Sequence, residues 1–304
     1  MKLTKWMLWA GLGLGCALLP PQLAAQEGAG DVVYVPTPQI VVEEMLRMAK
    51  VGPSDFVIDL GSGDGRMVIT AVKKFGARGG FGVDLDKVLL KVSNESAKRE
   101  GVADRVKFIE QNLFETDLSQ ASVITSYLLP EMNERLRPKL LNLKPGTRVV
   151  AHDYHMGNWY PNEQKTLDVP EKTVGDPGKS YIYLWIVPAK ITGHWQPAQR
   201  AASPATQWEF DLTQRFQMVD GNARNGNQSI SLRTTGLEGD KVSIVFFTKP
   251  GDASTRHEFR GTVKGDTIEG TFKLGDAAGQ QTQPWSVRLV QRGEATPSQS
   301  AAPK

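Results

Sequence analysis

The sharpest chemistry in this 304-residue chain lies in ten consecutive residues, Val57-Ile58-Asp59-Leu60-Gly61-Ser62-Gly63-Asp64-Gly65-Arg66. A short apolar run carries an acid, Asp59, and three glycines then alternate with Ser62 and Asp64. Glycine lets a backbone turn sharply and come close to a ligand with no Cβ in the way. The helix that follows opens with unpaired backbone N–H groups. A tight strand-to-helix turn could need the glycines for its own sake, so the run counts through its surroundings. About twenty residues on, Gly80-Phe81-Gly82-Val83-Asp84 ends a second strand in another acid, placed to accept two hydrogen bonds from a ribose diol.

The spacing argues against a dinucleotide. A pyrophosphate loop reads G-x-G-x-x-G, and here the third glycine comes one residue early. Asp59 and Asp64 would repel a diphosphate, yet they suit a cation. S-adenosylmethionine is such a ligand, with a sulfonium, an ammonium, a ribose diol and an adenine. At these residues the chain resembles the class I (seven-strand) S-adenosylmethionine-dependent methyltransferases, over residues 31–188.

A narrower resemblance rests on Val33-Tyr34-Val35-Pro36-Thr37-Pro38, Asn112-Leu113-Phe114, Tyr127-Leu128-Leu129-Pro130-Glu131-Met132-Asn133, Arg137-Pro138-Lys139-Leu140 and His152-Asp153-Tyr154-His155-Met156-Gly157-Asn158-Trp159. With the glycine loop, these motifs are similar to the lysine methyltransferase family that includes the enzymes modifying the mitochondrial ATP synthase c-subunit and the adenine nucleotide translocase. The resemblance implies that Gly61, Gly63 and Gly65 lie under the methionine part of the cofactor. It implies that Asp59 meets the amino end, Asp84 the ribose, and Asn112 with Leu113 the adenine. Tyr34 and Thr37 close from the N-terminal side. Tyr127, Leu129, Pro130 and Glu131 line the methyl-transfer channel.

The implied reaction is in-line attack of a neutral amine on an already activated methyl, so the protein mainly aligns the two. It must also favour the neutral form of the amine by desolvation. Tyr127, Tyr154 or Trp159 could hold the amine by cation–π contact, and Glu131 or Asp153 could take the proton. The expected catalytic residues are therefore Tyr127, Glu131 and Asp153. His152 and His155 form an H-x-x-H pair with no third ligand evident nearby, and no metal is expected. Two readings from other classes stand beside the enzyme: an inactive binding module of the same fold whose β-rich part binds a peptide or lipid, and a small-molecule methyltransferase.

The elements that must position these residues follow from the hydrophobic period. Residues 31–188 alternate strands (57–60, 80–84, 106–109, 122–127, 148–151) with helices (39–49, 67–75, 86–100), and 181–187 reads as a late strand. This rhythm implies an α/β Rossmann-like parallel sheet with helices on both faces. Residues 190–292 change character. Runs with period two (208–212, 229–233, 241–247, 258–263, 267–272, 285–290) are separated by turn signals such as Asp220-Gly221, Glu238-Gly239-Asp240 and Lys264-Gly265-Asp266. They imply an all-β antiparallel meander, a small barrel or sandwich. Trp195, Trp208 and Trp285 are expected in its core. Residues 293–304 read as a disordered tail.

Residues 1–25 behave unlike the rest. Lys2 and Lys5 precede an apolar run of about 14 residues, shorter than the roughly 20 of a spanning helix, and small residues follow. This is the pattern of a secretory signal peptide, cleaved near Ala25-Gln26. An uncleaved anchor is the alternative. Cleavage would remove Cys16, the one cysteine, and leave a chain suited to an oxidising compartment. The expected location is periplasmic or secreted. With Lys+Arg 36 against Asp+Glu 33, the charge is too balanced for a dedicated nucleic-acid binder. The expected partner is a protein substrate, membrane-associated or not, and no second stretch is long enough to cross a bilayer.

Overall fold

The computed structural model describes residues 34–198, 207–276 and 282–294. The leader read in residues 1–25, the uncleaved-anchor alternative and nearly all of the tail lie outside the described residues.

Seven strands build the first sheet: β1 (Phe56–Leu60), β2 (Gly79–Asp84), β3 (Val106–Glu110), β4 (Val123–Ser126), β5 (Arg148–His152), β6 (Glu163–Val169) and β7 (Gly178–Ile186). Their order is β3-β2-β1-β4-β5-β7-β6. β1 to β5 pair in parallel, as the βα rhythm implies, whereas β7 pairs antiparallel with both β5 and β6. The chain order reverses between β1 and β4, which opens a crevice at the C-terminal ends of those strands.

Side chains alternate across this sheet, and each face finds its helices. Val57, Val123 and Val150 pack with residues of α1 (Gln39–Met48), α2 (Arg66–Lys73) and α3 (Lys87–Arg99). Ile58, Ile124 and Val149 face the other way, onto Leu136 and Leu140 of α4 (Pro130–Leu140). α3 starts where it does because Asp86 caps it, accepting from Val88 N at 2.8 Å and Leu89 N at 3.2 Å. Such a cap satisfies donors that no carbonyl can reach. The sequence reading assigned no helix to α4. It has a proline at its start and another inside, and its inward face includes Asn133 and Arg137 beside the leucines, so the apolar period is broken by buried polar groups.

Nine further strands form an antiparallel sheet: β8 (Gly193–Pro197), β9 (Glu209–Arg215), β10 (Met218–Asn225), β11 (Gln228–Leu232), β12 (Thr234–Glu238), β13 (Lys241–Phe247), β14 (Arg256–Lys264), β15 (Thr267–Leu274) and β16 (Gln283–Arg292). The order β11-β10-β9-β8-β16-β15-β14-β13-β12 brings the first strand, β8, beside the last, β16. The sheet curls into a nearly closed barrel, open only between β11 and β12, which decides between barrel and sandwich. Trp195, Trp208, Phe210, Phe259, Phe272 and Trp285 fill its core. Asp220-Gly221 is not a turn: both residues lie inside β10, and the chain reverses at Gly226 instead.

The barrel seats on the first sheet through the β9–β10 turn. Phe216 stacks on Trp159 with ring centres 6.0 Å apart, and Gln217 takes the Trp159 indole N–H at 2.9 Å. Among the described residues no helix is long and apolar enough to cross a membrane.

Candidate active site

The glycine loop leaves β1 and enters α2 at the crevice. Gly61, Gly63 and Gly65 all have positive φ, at 75°, 52° and 81°, a region that costs a side chain dearly. Two of them are also closely approached. A Cβ on Gly63 would lie 2.3 Å from the Tyr34 ring, and one on Gly65 would lie 2.5 Å from Phe108. The loop is tied to β2, since Gly61 N and Ser62 N both donate to Val83 O, at 3.0 and 2.9 Å. Gly63 N donates to Asp84 Oδ2 at 2.8 Å. Asp84 Oδ1 accepts from Asp86 N at 3.0 Å, so the carboxylate is held in one orientation at the strand end.

Asp59 lies behind the loop, 6% exposed, and accepts from Thr125 Oγ1 at 2.6 Å. Burial pushes its carboxyl up to about 7, against the Thr125 bond, and the charges of Asp84 and Asp64 push the same way. Asp64 goes the other way. Burial alone would raise it, but the Arg66 guanidinium outweighs that and holds it low. Arg66 reaches Asp64 Oδ2 at 2.6 Å and the Thr37 carbonyl at 2.9 Å. It thereby ties the N-terminal segment 34–38 to the loop.

At the far end of the crevice, Tyr127 follows β4. Its hydroxyl donates to Asp153 Oδ2 at 3.0 Å, and its ring lies 4.0 Å from the His152 ring and stacks with Tyr154 at 6.2 Å. Burial, then Asp153, push the phenol well up, so Tyr127 keeps its proton. His152 is fully buried and bridges Thr37 Oγ1 (3.2 Å) and Ser180 Oγ (3.0 Å). Burial pulls it down to about 4, with Asp153 opposing and Lys172 adding to the fall. It is neutral near pH 7, and its 3.4 Å approach to Asp153 is a dipolar contact rather than an ion pair.

The structure changes several of the expected roles. Asp153 is not an open base: Oδ2 holds Tyr127 and Lys172, and Oδ1 holds Tyr181 N. Trp159 cannot wall an amine site, because it is fully buried against Trp185 and Phe216. Glu131 lies exposed in the first turn of α4. Asn112 and Leu113 follow β3 half-buried, and the Asn112 side-chain carbonyl oxygen accepts Phe114 N at 3.0 Å. His155 is exposed while His152 is enclosed, so the H-x-x-H pair does not converge.

Four residues escaped the sequence reading as functional groups. The motifs that contain Asn133 and Arg137 imply no role for either. Asn133 Nδ2 donates to Leu128 O and Tyr154 O, and Arg137 reaches Met156 O at 2.9 Å, so α4 carries the loop that holds Tyr154. Lys172 and Ser180 come from the β6–β7 hairpin, where no local spacing marks them.

The chain is similar to several known proteins. A profile described as the ANTKMT methyltransferase domain matches residues 59–163. A protein-lysine N-methyltransferase of Saccharolobus islandicus is 45% identical over 133 residues, which cover 43% of this chain and 83% of that protein. The adenine nucleotide translocase lysine N-methyltransferase of Mus musculus is 31% identical over 160 residues, which cover 52% of this chain and 66% of that protein. A crystal structure described as an RNA methyltransferase of Salinibacter ruber, in complex with S-adenosyl-L-homocysteine, is 46% identical over 52% of this chain and 96% of that one, at a TM-score of 0.46.

Proposed function

Since the chain belongs to the family of S-adenosylmethionine-dependent methyltransferases that includes the protein-lysine N-methyltransferase of Saccharolobus islandicus, we propose that its acceptor is the side-chain amine of a lysine in a protein. The observation that carries this reading is the Tyr127 hydroxyl, anchored by Asp153 at the end of β4 and stacked on Tyr154. β4 is the strand beside β1, which carries the cofactor loop.

The residues at the crevice suit S-adenosylmethionine. Ser62 Oγ and Ser126 Oγ, at the ends of adjoining strands, are buried with no hydrogen-bond partner, and buried hydroxyls rarely stay unpaired. The Tyr34 ring covers Gly63 where any side chain would collide. Asp84 keeps a fixed carboxylate at the crevice, and Asp59 behind it ionises most readily when a cation is near, so the site favours a ligand bearing a sulfonium and an ammonium. Bound there, S-adenosylmethionine supplies a methyl group activated by the sulfonium charge. Asp84 presents a fixed carboxylate to the ribose hydroxyls, and Asp59 in its ionised form favours the cationic end.

The chain's own part in the transfer is to prepare the amine. The aromatic walls of Tyr127 and Tyr154 strip water from it, which favours the neutral, nucleophilic form. Tyr127 commits its proton to Asp153, so its oxygen is left as an acceptor that orients an amine N–H. No acid–base relay through Asp153 is needed, because alignment and desolvation do most of the work for an activated methyl.

The test is incubation of the purified chain with tritiated S-adenosylmethionine and poly-L-lysine, then with a cell extract, followed by acid hydrolysis. Label recovered as methyllysine is expected. Label in RNA or in a small molecule, with none in protein, overturns the reading. In the same preparation Asp84→Ala should weaken S-adenosylhomocysteine binding by roughly 10–100-fold, the size of losing hydrogen bonds to a charged group, as read by titration calorimetry.

A further inference from the structure

Lys172 lies nine residues past the stretch matched by the family profile, on the turn between β6 and β7, and its side chain is only 4% exposed. A lysine that deep is rare unless it is paired. Its ammonium sits 2.7 Å from Asp153 Oδ2. The remaining donors reach the main-chain carbonyls of Asp176 and Lys179, so the ammonium is saturated and held in place. The turn is wound tightly around it. Lys172 N donates to Val169 O, Gly178 N donates to Lys172 O, and a Cβ on Gly175 would lie 3.3 Å from Asp153 Oδ2.

Asp153 explains why a cation is needed there. Its backbone has φ 61°, an unusual conformation for a residue with a side chain, and its carboxylate is 5% exposed. A buried carboxylate without a cation is strongly unfavourable. His152, directly adjacent, is neutral and cannot supply the charge. We propose that Lys172 is a positioning residue for methyl transfer: its ammonium clamps Asp153, and Asp153 fixes the Tyr127 hydroxyl that meets the acceptor amine. This rests on the lysine-acceptor reading above. With the cation gone, Asp153 must find water or another partner, and the Tyr127 hydroxyl loses its fixed direction. Lys172 touches neither cofactor nor acceptor, so it acts on rate rather than on binding.

A lysine that merely staples the β6–β7 turn would behave differently, and a double-mutant cycle separates the two roles. The full chain is made as wild type, Lys172→Met, Lys172→Arg, Tyr127→Phe and Lys172→Met with Tyr127→Phe. Transfer of tritiated methyl to poly-L-lysine gives kcat and KM, and calorimetry gives the affinity for S-adenosylhomocysteine. Lys172→Met should lower kcat roughly 10-fold, with KM and S-adenosylhomocysteine affinity changed less than about twofold. In the Tyr127→Phe background the same substitution should cost less than about twofold. Lys172→Arg, which keeps the cation, should stay within about threefold of wild type, and it carries the test if the methionine variant does not fold. An equal loss in both backgrounds, an unchanged kcat, or a parallel loss of S-adenosylhomocysteine affinity overturns the proposal, as does a roughly 10-fold loss in the arginine variant. A wild-type chain that binds S-adenosylhomocysteine yet labels no lysine overturns the acceptor reading instead. The clamp is then judged by urea unfolding of the same four corners of the cycle, where additive midpoint shifts overturn it and non-additive shifts support it.

Discussion

At Asp59, we propose, proton and cofactor compete. Burial raises its carboxyl first, with Asp84 and Asp64 adding and Thr125 opposing, to about 7. The ligand-free fold is therefore favoured by the protonated form: that contribution is whole below the ordinary value of 3.8 and is lost as pH rises through about 7. A cationic ligand reverses the preference, because it stabilises the anion. Binding of S-adenosylhomocysteine, whose amino end is cationic, should weaken as pH falls below about 7, by up to roughly tenfold per pH unit for one linked proton. Calorimetry across pH 5.5–8, at roughly half-unit steps, reads this directly. Asp59→Asn should flatten the curve, and a flat curve in the wild type would sink the assignment. The sequence marked Asp59 and Asp84 because their distance from the glycines is local. It could not show the partners of Asp153, since nothing near residue 153 says that Lys172 and Tyr127 hold its oxygens.

The glycine loop works as an element because three left-handed residues let it fold back onto β2 while Tyr34 lies across it. Gly63→Ala tests this. An L-residue at φ 52° costs about 1–2 kcal/mol, and the new Cβ would also push Tyr34 off the loop. S-adenosylhomocysteine affinity should fall at least roughly tenfold while the unfolding midpoint drops only by the strain. A variant that binds normally would show that Tyr34 has no part in the cover. Helix α4 teaches the opposite lesson about legibility. Its buried Asn133 and Arg137 satisfy carbonyls of the His152–Trp159 stretch, which are partners supplied by tertiary structure. A reading that looks for an apolar stripe therefore passes over it. β6 was missed for a related reason: it is a polar edge strand, exposed along most of its length.

At the scale of the whole molecule, the barrel is fastened to the catalytic sheet by a small aromatic joint. Phe216, itself in a left-handed conformation, packs on Trp159, and Arg137 lies 5.8 Å from its ring. Phe216→Ala should remove about 3–5 kcal/mol of packing and uncouple the two sheets. Calorimetric melting should then show two transitions where the wild type shows one, with Trp fluorescence following the first. A single unshifted transition would mean that Gln217 and the Ala189–Gly239 hydrogen bond suffice as a joint. The leader reading stands as a proposal from residues 1–25 alone. Fractionation of cells carrying a C-terminally tagged chain should recover it outside the cytoplasm, shortened by the leader, and full-length cytoplasmic protein would overturn it.

The sequence by itself determined the glycine loop, the acids placed around it, the parallel core of the first sheet and the change to a meander near residue 190. Each of these depends on residues close in the chain: a strand, a turn and a helix start whose chemistry is written in neighbouring positions. Only the tertiary structure decided which side chains meet at the far end of the crevice. Tyr127, Asp153 and Lys172 come from three separate connections, Trp159 is buried rather than presented, and the meander curls to a nearly closed barrel with its first strand paired to its last. These depend on which distant groups share one buried volume. There a charge must be met by an opposite charge and a donor by an acceptor, and no spacing along the chain records those pairings.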